Sequence, residues 1–336
     1  MISFYSNSHQ AYRLSYDVSD GMPAVEHLDS PERLELMKER LSSLGIEVVE
    51  VLIQEQDRLD LIAHVKKIHT AQYVDFMVAL SDSLNADEEI LPMISHPLSV
   101  TKQVPLRFRI GSYCSEIGTP IKKSSLPAAL DSYGLALQAA DYIQSSQESA
   151  LALTRPPGHH AGKSRYAGYC IFNQGMGAAT YLSQDGPVAV LDIDYHIGDG
   201  CLDFTQPNIT YYSIHAEPTL SYPYRSFEQS SYLNTRLFSF QANISIIEYL
   251  ELLQTVISEI KDSKVKYLIV LTGFDLCRYE YVQDTPTQIE PDDFKHISAL
   301  IKKVHIPTLF LIEGGYDLEH LGQCFDSFFG VYTSNP

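Results

Sequence analysis

The sequence has few basic residues and a large excess of acidic ones. It contains 24 lysines and arginines against 42 aspartates and glutamates, which gives a formal net charge of −18. Because a phosphate backbone is bound by a basic surface, this balance argues against nucleic acid as a main partner. It favours a small cationic substrate, although a negative charge can also serve only to keep a protein soluble.

Cysteines are also scarce, and long apolar runs are absent. The five cysteines form no CxxC pair, and their odd number suits neither a disulfide framework nor a zinc ribbon. The N-terminus lacks the features of a signal peptide, and no stretch approaches the roughly 18 apolar residues that span a bilayer. These absences predict a cytoplasmic protein that does not contact membranes.

GxSxG, P-loop and GxGxxG motifs are missing as well, which argues against serine-elbow hydrolases and against the common nucleotide-binding folds.

Short apolar runs alternate with segments of helical period along most of the chain. The runs are mostly continuous rather than alternating, which is typical of parallel strands buried on both faces. We predict strands at Val48–Ile53, Ser149–Leu153, Val188–Asp192, Ile209–Ile214, Tyr267–Leu271 and Thr308–Ile312. The pattern predicts one doubly wound α/β domain over residues 1–336, with a mainly parallel central sheet flanked by helices.

Three helices have clear sequence signals. Ser30 and Pro31 are typical of an N-cap and a first helical residue, and Gly45 is a typical stop. Apolar residues recur at helical spacing from Ile246 to Ile260, and a further helix is predicted from Pro291 to near Lys303.

Residues 82–125 break the alternation, because they contain several prolines and no sustained periodicity. A loop of this length in a compact domain usually has a function. We expect a lid, a binding wall or a subunit contact.

Ionisable residues follow two of the predicted strands, at the edge where α/β sheets bind ligands. Asp192, Asp194 and His196 can share one face of an extended chain, and Asp275 follows the predicted strand Tyr267–Leu271. Two carboxylates and one imidazole leave coordination positions open, as a catalytic metal requires. The alternative is a polar strand end whose side chains cap neighbouring loops.

The adjacent residues His159 and His160 are candidates for proton transfer next to that metal. A neutral imidazole can accept a proton from water and later donate it to a leaving group. Each histidine needs a carboxylate to orient it, and Asp192 and Asp199 are available. The two preceding prolines favour a rigid loop over a helix.

Two other segments near predicted strand ends have candidate side chains. Paired glycines before Tyr316 allow a tight turn, and its hydroxyl could stabilise an oxyanion, although a plain turn is the alternative. Cys170 has no matched histidine or basic flank, so a buried structural thiol is favoured over a nucleophile.

Together these segments resemble the histone deacetylase superfamily, whose members have an arginase-like α/β fold. The resemblance rests on RPPGHHAGKSRYAGYCIFN, VLDIDYHIGDG, GFD and LIEGGY, in that order. The segments FYSNSH and IHTAQYVDFM and the long loop are similar to those of bacterial acetylpolyamine amidohydrolases. In those enzymes the loop builds a dimer and narrows the active-site tunnel.

The resemblance implies a role for each candidate residue. The zinc ligands would be Asp194, His196 and Asp275. The catalytic group would comprise the general base and acid His160 with its partner Asp199, His159 with its partner Asp192, and Tyr316, which polarises the scissile carbonyl.

The resemblance also implies residues that bind the substrate and a second cation. Gly168, Tyr169 and Tyr222 would line the tunnel, and Asp17 and Glu116 would attract a distal amine, although Gly118 replaces one expected acid. A structural potassium ion would be bound by Ser213 and by the carbonyls of Asp192, Asp194, His196 and Ile214.

Two departures from the family pattern affect the surroundings of the site. Ile197 occupies a position where many relatives have a histidine, and LCRYEYVQDTP follows Asp275 with an unfamiliar spacing. The loop at the tunnel rim is therefore not predicted.

The function implied is a zinc-dependent amidohydrolase that deacetylates N-acetylated polyamines of the acetylputrescine, acetylcadaverine or acetylspermidine type, as a homodimer formed through residues 82–125. Iron or cobalt could replace zinc at a site with two carboxylates. The alternatives are a deacylase of acetyl-lysine side chains or other small acyl amides, and a catalytically idle module that binds acetylated amines.

Overall fold

A computed structural model describes residues 1–18, 23–92, 104–204 and 206–333 of the chain. Its strands are β1 (Ile2–Tyr5), β2 (Tyr16–Asp17), β3 (Val25–Glu26), β4 (Glu47–Glu50), β5 (Glu89–Ile90), β6 (Ile121–Lys122), β7 (Ala150–Ala152), β8 (Val188–Asp192), β9 (Ile209–Ala216), β10 (Thr235–Phe240), β11 (Tyr267–Thr272) and β12 (Thr308–Ile312). Its α-helices are α1 (Glu32–Ser43), α2 (Glu55–Val65), α3 (Ala71–Ser83), α4 (Ser125–Ser146), α5 (Gln174–Leu182), α6 (Ile246–Asp262), α7 (Phe294–Lys302) and α8 (Leu318–Thr333).

Eight of the strands form one central sheet in the order β10-β9-β8-β11-β12-β7-β1-β4. Every strand pair in this sheet is parallel. The remaining strands form two antiparallel pairs, β2 with β3 and β5 with β6. The predicted fold class, a doubly wound sheet of mainly parallel strands, is therefore confirmed.

The continuous apolar strands bury side chains on both faces of the sheet. In β8, Val188 and Val190 join the hydrophobic core that also contains residues of α3, α4 and α5. Their neighbours Ala189 and Leu191 face the opposite core, which contains residues of α1, α6, α7 and α8. Because successive side chains of a strand point to opposite faces, helices on both sides require apolar residues at every position.

Strand pairing sets boundaries that the apolar runs did not predict. The strand predicted at Val48–Ile53 is observed as β4, Glu47–Glu50. It stops at Glu50 because β1, its partner in the described part of the chain, ends at Tyr5 opposite Glu50. The strand predicted to end at Ile214 continues to Ala216, which pairs with Phe240 at the end of β10. Of the eight strands of the central sheet, the sequence analysis missed β1 and β10, and it also missed the four short strands of the two antiparallel pairs.

The start of α1 also differs from the prediction by one residue. Pro31 lies at the N-cap position and Glu32 begins the helix, whereas Ser30 was predicted as the N-cap. Gly45 follows the helix with a φ of +69°, which is the conformation that favours glycine as a helix stop.

The predicted long loop contains more regular structure than expected. α3 continues to Ser83, β5 pairs with β6, Leu106–Ser112 forms a 3₁₀ helix, and α4 begins at Ser125. Residues 93–103 of the predicted loop lie outside the described residues. None of the helices in the described ranges is long and apolar enough to cross a membrane.

Candidate active site

Four loops meet at the carboxyl edge of the four neighbouring strands β8, β11, β12 and β7. They contain residues 192–199 after β8, 273–275 after β11, 313–316 after β12 and 155–160 after β7. In a parallel sheet the carboxyl ends of all strands lie at one edge, so residues far apart in sequence come together there.

Asp194, His196 and Asp275 form a compact group that could hold a metal ion. One potential ligand atom from each residue lies within 4.8 Å of the other two. His196 Nδ1 lies 3.1 Å from Asp275 Oδ2, and the backbone N–H of His196 donates to Asp194 Oδ1 at 2.9 Å. Both carboxylates are buried, while 11% of the His196 side chain is exposed.

The backbone closes tightly around the two carboxylates. The N–H of Gly314 donates to Asp194 Oδ2 at 2.8 Å, and that of Tyr195 donates to Asp275 Oδ1 at 3.0 Å. A Cβ atom on Gly314 would come within 2.6 Å of a carboxylate oxygen of each aspartate. Glycine is therefore required here, because the loop after β12 passes directly over the ligands.

The charges in this group match a divalent cation. Burial and the nearby Asp194 carboxylate raise the pKa of Asp275 to about 6. Burial alone would lower the pKa of His196, but its hydrogen bonds to Asp194 and Asp275 raise it to about 10. In the absence of a cation a proton on His196 thus balances the carboxylates, and a metal ion could take over that role.

The adjacent histidines point to two different carboxylates. His159 Nδ1 lies 3.1 Å from Asp192 Oδ2, and His160 Nδ1 lies 2.8 Å from Asp199 Oδ1. Burial is the main reason that the pKa of His160 is lowered to about 4, and the charge of the neighbouring His159 is the second. His160 is therefore neutral near pH 7, and its Nε2 can accept a proton if Nδ1 carries the hydrogen toward Asp199.

Two arginines that the sequence analysis did not consider bind the same carboxylate. Arg165 donates to Asp199 Oδ2 at 3.0 Å and Arg225 donates to the same oxygen at 2.6 Å. The pKa of Asp199 is lowered to about 2, because its bonds and charge interactions with His160 and the arginines outweigh burial.

An acid that the sequence analysis also missed, Glu280, orients the loop of Tyr316. Glu280 accepts hydrogen bonds from the backbone N–H groups of Tyr316, at 2.7 Å, and of Asp317, at 3.0 Å. Arg33 lies below the Tyr316 ring, with its guanidinium carbon 4.5 Å from the ring centroid. Glu280 belongs to LCRYEYVQDTP, the segment whose arrangement the sequence did not predict.

The predicted aromatic walls lie beside the histidines and Tyr316. The ring centroid of Tyr222 is 4.9 Å from that of His160, and the rings are nearly perpendicular. The rings of Tyr169 and Tyr316 are 5.5 Å apart. Gly168 has a φ of +53°, and a Cβ atom there would collide with the His160 ring.

The two predicted acids lie next to the Tyr169 wall, but protein donors already bind them. Asp17 Oδ2 accepts the Tyr169 hydroxyl at 2.5 Å, and only 5% of Asp17 is exposed. Glu116 accepts the N–H of Gly168 at 3.2 Å, and burial raises its pKa. A Cβ atom on Gly118 would lie 3.0 Å from a Glu116 oxygen and 3.1 Å from an Asp17 oxygen, so the two carboxylates flank one residue.

Ser213 and Cys170 are both buried near the site. Ser213 lies opposite Asp192 in the pairing of β8 with β9, and its hydroxyl is 2.8 Å from His215 Nδ1. The Cys170 thiol donates to the Gly168 carbonyl at 3.2 Å, and burial raises its pKa well above the usual value. A raised thiol pKa agrees with a structural cysteine rather than a nucleophile.

Comparisons with known proteins agree with this architecture. Residues 27–332 match the histone deacetylase domain. The chain is 27% identical to acetylpolyamine amidohydrolase 2 of Pseudomonas aeruginosa over 96% of each protein, and 26% identical to the acetylpolyamine amidohydrolase of Mycoplana ramosa over 77% of this chain and 80% of that one. A crystal structure of an acetylpolyamine aminohydrolase from Burkholderia pseudomallei has the same fold, with a TM-score of 0.90, 24% identity and coverage of 99% of this chain and 98% of that one.

The domain match covers most of the chain, and the resemblance expected from the sequence is confirmed. The loops that follow the strands of the sheet bring together the segments on which that resemblance rested. The chain therefore belongs to the histone deacetylase family, and it has the enzymatic class of that family, a hydrolase acting on acetylated amines.

Proposed function

We propose that this protein is a zinc-dependent amidohydrolase that removes acetyl groups from N-acetylated polyamines. Asp194, His196 and Asp275 would hold the metal, since they offer a buried set of two carboxylates and one imidazole with open positions. A bound divalent cation would supply Lewis acidity at the acetyl carbonyl and at a water molecule. Iron or cobalt would suit the same ligands.

The residues of the chain would divide the proton transfers between them. His160, neutral and oriented by Asp199, would accept the proton of the attacking water and return it to the amine that leaves. His159, paired with Asp192, would act electrostatically. The Tyr316 hydroxyl would donate a hydrogen bond to the oxygen of the tetrahedral intermediate.

The proposed preference for a cationic substrate rests on one observation, the two carboxylates of Asp17 and Glu116 next to the Tyr169 ring. Asp17 and Glu116 flank Gly118, and neither makes an ion pair with a basic side chain in the described part of the chain. Their charge supports binding of a distal ammonium group on a linear acetylated diamine. Tyr169 and Tyr222 would contact the methylene chain between the two ends.

The proposal is tested by comparing substrates that differ in one group. N-acetylputrescine and N-butylacetamide have chains of similar length, and only the first has a distal ammonium. We expect kcat/KM to be at least about tenfold higher for acetylputrescine, which corresponds to roughly 1.4 kcal/mol of charge recognition. Asp17→Asn should reduce this preference, whereas hydrolysis of N-butylacetamide should change little.

The same assay separates the substrate classes. Acetylcadaverine, acetylspermidine and an acetyl-lysine peptide are measured in parallel. A clear preference for the peptide would replace our proposal with a protein deacylase, and equal rates for acetylputrescine and N-butylacetamide would eliminate the role of the acidic pair. A protein that binds acetylated amines and stays inactive after zinc addition would be an idle binding module.

Three further features are part of the proposal. We propose a homodimer formed through residues 82–125, a potassium ion bound by Ser213 and nearby carbonyls, and a cytoplasmic location. Sedimentation analysis tests the dimer, and replacement of potassium by sodium in wild-type and Ser213→Ala protein tests the ion.

A further inference from the structure

Asp199 receives donors on both of its carboxylate oxygens. Oδ1 faces His160 Nδ1 at 2.8 Å, and Oδ2 accepts one hydrogen bond from Arg165 and one from Arg225. Only 1% of the Asp199 side chain is exposed. A carboxylate buried this deeply is stable as an anion only when charged donors compensate it.

The two arginines come from different segments and differ in how they are held. Arg165 follows the histidine pair in sequence, and it also donates to Asp203 at 2.6 Å. Arg225 comes from the loop after β9, and 51% of its side chain is exposed. Among the ion pairs of the described residues, Arg225 takes part only in the one with Asp199, and it also packs on the Phe227 ring.

The loop that contains Arg225 contacts the proposed base once directly, through Tyr222, and once indirectly, through Asp199. Three residues before Arg225, the Tyr222 ring lies 4.9 Å from the His160 ring. Arg225 itself donates to Asp199, the carboxylate that lies 2.8 Å from His160 Nδ1. The substrate wall and the orientation of the base thus depend on the same short segment.

We propose that Arg225 is a positioning residue for hydrolysis, which holds the Asp199 carboxylate in the orientation that directs His160 Nε2 toward the reacting water. This inference rests on the proposed function, because it assigns a role within that reaction. Arg225 acts through Asp199 and does not contact the substrate. Its loss should therefore lower kcat, whereas loss of a wall contact would raise KM.

The test compares Arg225→Ala with Arg225→Lys and with a matched control. Arg236→Ala is that control, because Arg236 has a similar exposure of 48%, and its ion-pair partner is the partly exposed Glu259 of α6 rather than a buried carboxylate of the site. Removal of an outer partner of a metal-binding histidine typically costs about 10- to 100-fold in metal affinity or activity, and we apply the same range to the proposed base. For Arg225→Ala we expect kcat to fall about tenfold, near the lower limit because Arg165 remains, while KM changes less than about twofold. Arg225→Lys should restore most of kcat, and Arg236→Ala should resemble wild type.

A second measurement does not depend on turnover. In ¹⁵N-histidine-labelled protein, the Nδ1–H proton of His160 reports its hydrogen bond to Asp199. We expect this resonance to shift or broaden in Arg225→Ala, to return in Arg225→Lys and to stay unchanged in Arg236→Ala. Thermal unfolding of all variants checks that each one is folded.

The outcomes separate this inference from the proposed function. A raised KM with unchanged kcat in Arg225→Ala would show that the arginine only supports the substrate wall, and an unchanged His160 resonance would overturn the positioning role directly. If wild-type protein prefers an acetyl-lysine peptide, the proposed function fails, and the same variants assayed on that peptide still decide the role of Arg225.

Discussion

Glu280 binds the backbone of Tyr316, with its two carboxylate oxygens 2.7 and 2.9 Å from the Tyr316 nitrogen. The acid follows the proposed metal ligand Asp275 by five residues, and the tyrosine follows a different strand. This contact connects the loop after β11 to the loop after β12. The position of the Tyr316 hydroxyl therefore depends on a carboxylate that lies outside the family segments quoted above.

Replacement of Glu280 by alanine should weaken both stability and activity. The change leaves the buried N–H groups of Tyr316 and Asp317 without their acceptor, which costs about 1–3 kcal/mol. We expect a lower free energy of urea unfolding and a reduced kcat. Glu280→Gln keeps an acceptor oxygen and should lose less of each. Equal stability of the alanine variant and wild type would contradict this role.

Glu280 should also make stability depend on pH. Burial is the main cause that raises its pKa from 4.5 to about 8. The folded protein favours the protonated form of Glu280. The contribution of protonated Glu280 to stability is therefore complete below its unfolded pKa, about pH 4.5, and is lost as the pH rises through its folded pKa, about 8. Urea unfolding across this range should show Glu280→Gln gaining stability relative to wild type as the pH increases. Parallel curves for the two proteins would show that Glu280 ionises normally.

Replacement of Gly168 by alanine should displace His160. Both the positive φ and the collision of a Cβ atom with the His160 ring oppose the substitution. Gly45→Ala is a matched control, because Gly45 also has a positive φ while no atom lies within 4 Å of its added Cβ. We expect both variants to lose about 1 kcal/mol of stability from backbone strain, and only Gly168→Ala to lose most of its turnover. Similar activity in the two variants would argue against a close fit at His160.

Removal of the His160 imidazole should separate catalysis from metal binding. We expect His160→Ala to lower kcat by about 10²- to 10⁴-fold, the usual contribution of a general base. Its metal content, measured by elemental analysis, should match wild type, whereas Asp194→Ala should lose metal and turnover together. Near-normal turnover in His160→Ala would remove the histidine from its proposed role.

Asp275→Asn should reveal the cost of assembling the metal site. In metal-free protein the folded state favours protonated Asp275. The contribution of the protonated carboxyl group to stability is therefore complete below about pH 3.8 and is lost as the pH rises through about 6. Asp275→Asn should therefore be more stable than metal-free wild type above about pH 6. Addition of zinc should stabilise only wild type. A destabilised asparagine variant in metal-free protein at pH 8 would contradict this interpretation.

The fold class and the family could be predicted from the amino-acid sequence alone. Continuous apolar runs such as Val188–Asp192 favour burial on both faces, and alternation of such runs with helical segments is typical of a parallel sheet that is covered by helices. The polar residues that follow these strands must then meet at one edge. The candidate ligands and both histidines are found there because their positions depend on strand ends, which are local features.

The side chains that bind those residues from outside the motifs could be identified only from the three-dimensional arrangement of the loops. Arg225 reaches Asp199 from a loop 26 residues further along the chain, and Glu280 reaches Tyr316 across 36 residues. No short-range pattern in the sequence indicates such contacts, because they depend on the path of irregular loops. The edge strand β10 escaped prediction for a related reason, since its exposed positions interrupt the apolar run and its pairing with β9 defines it as a strand.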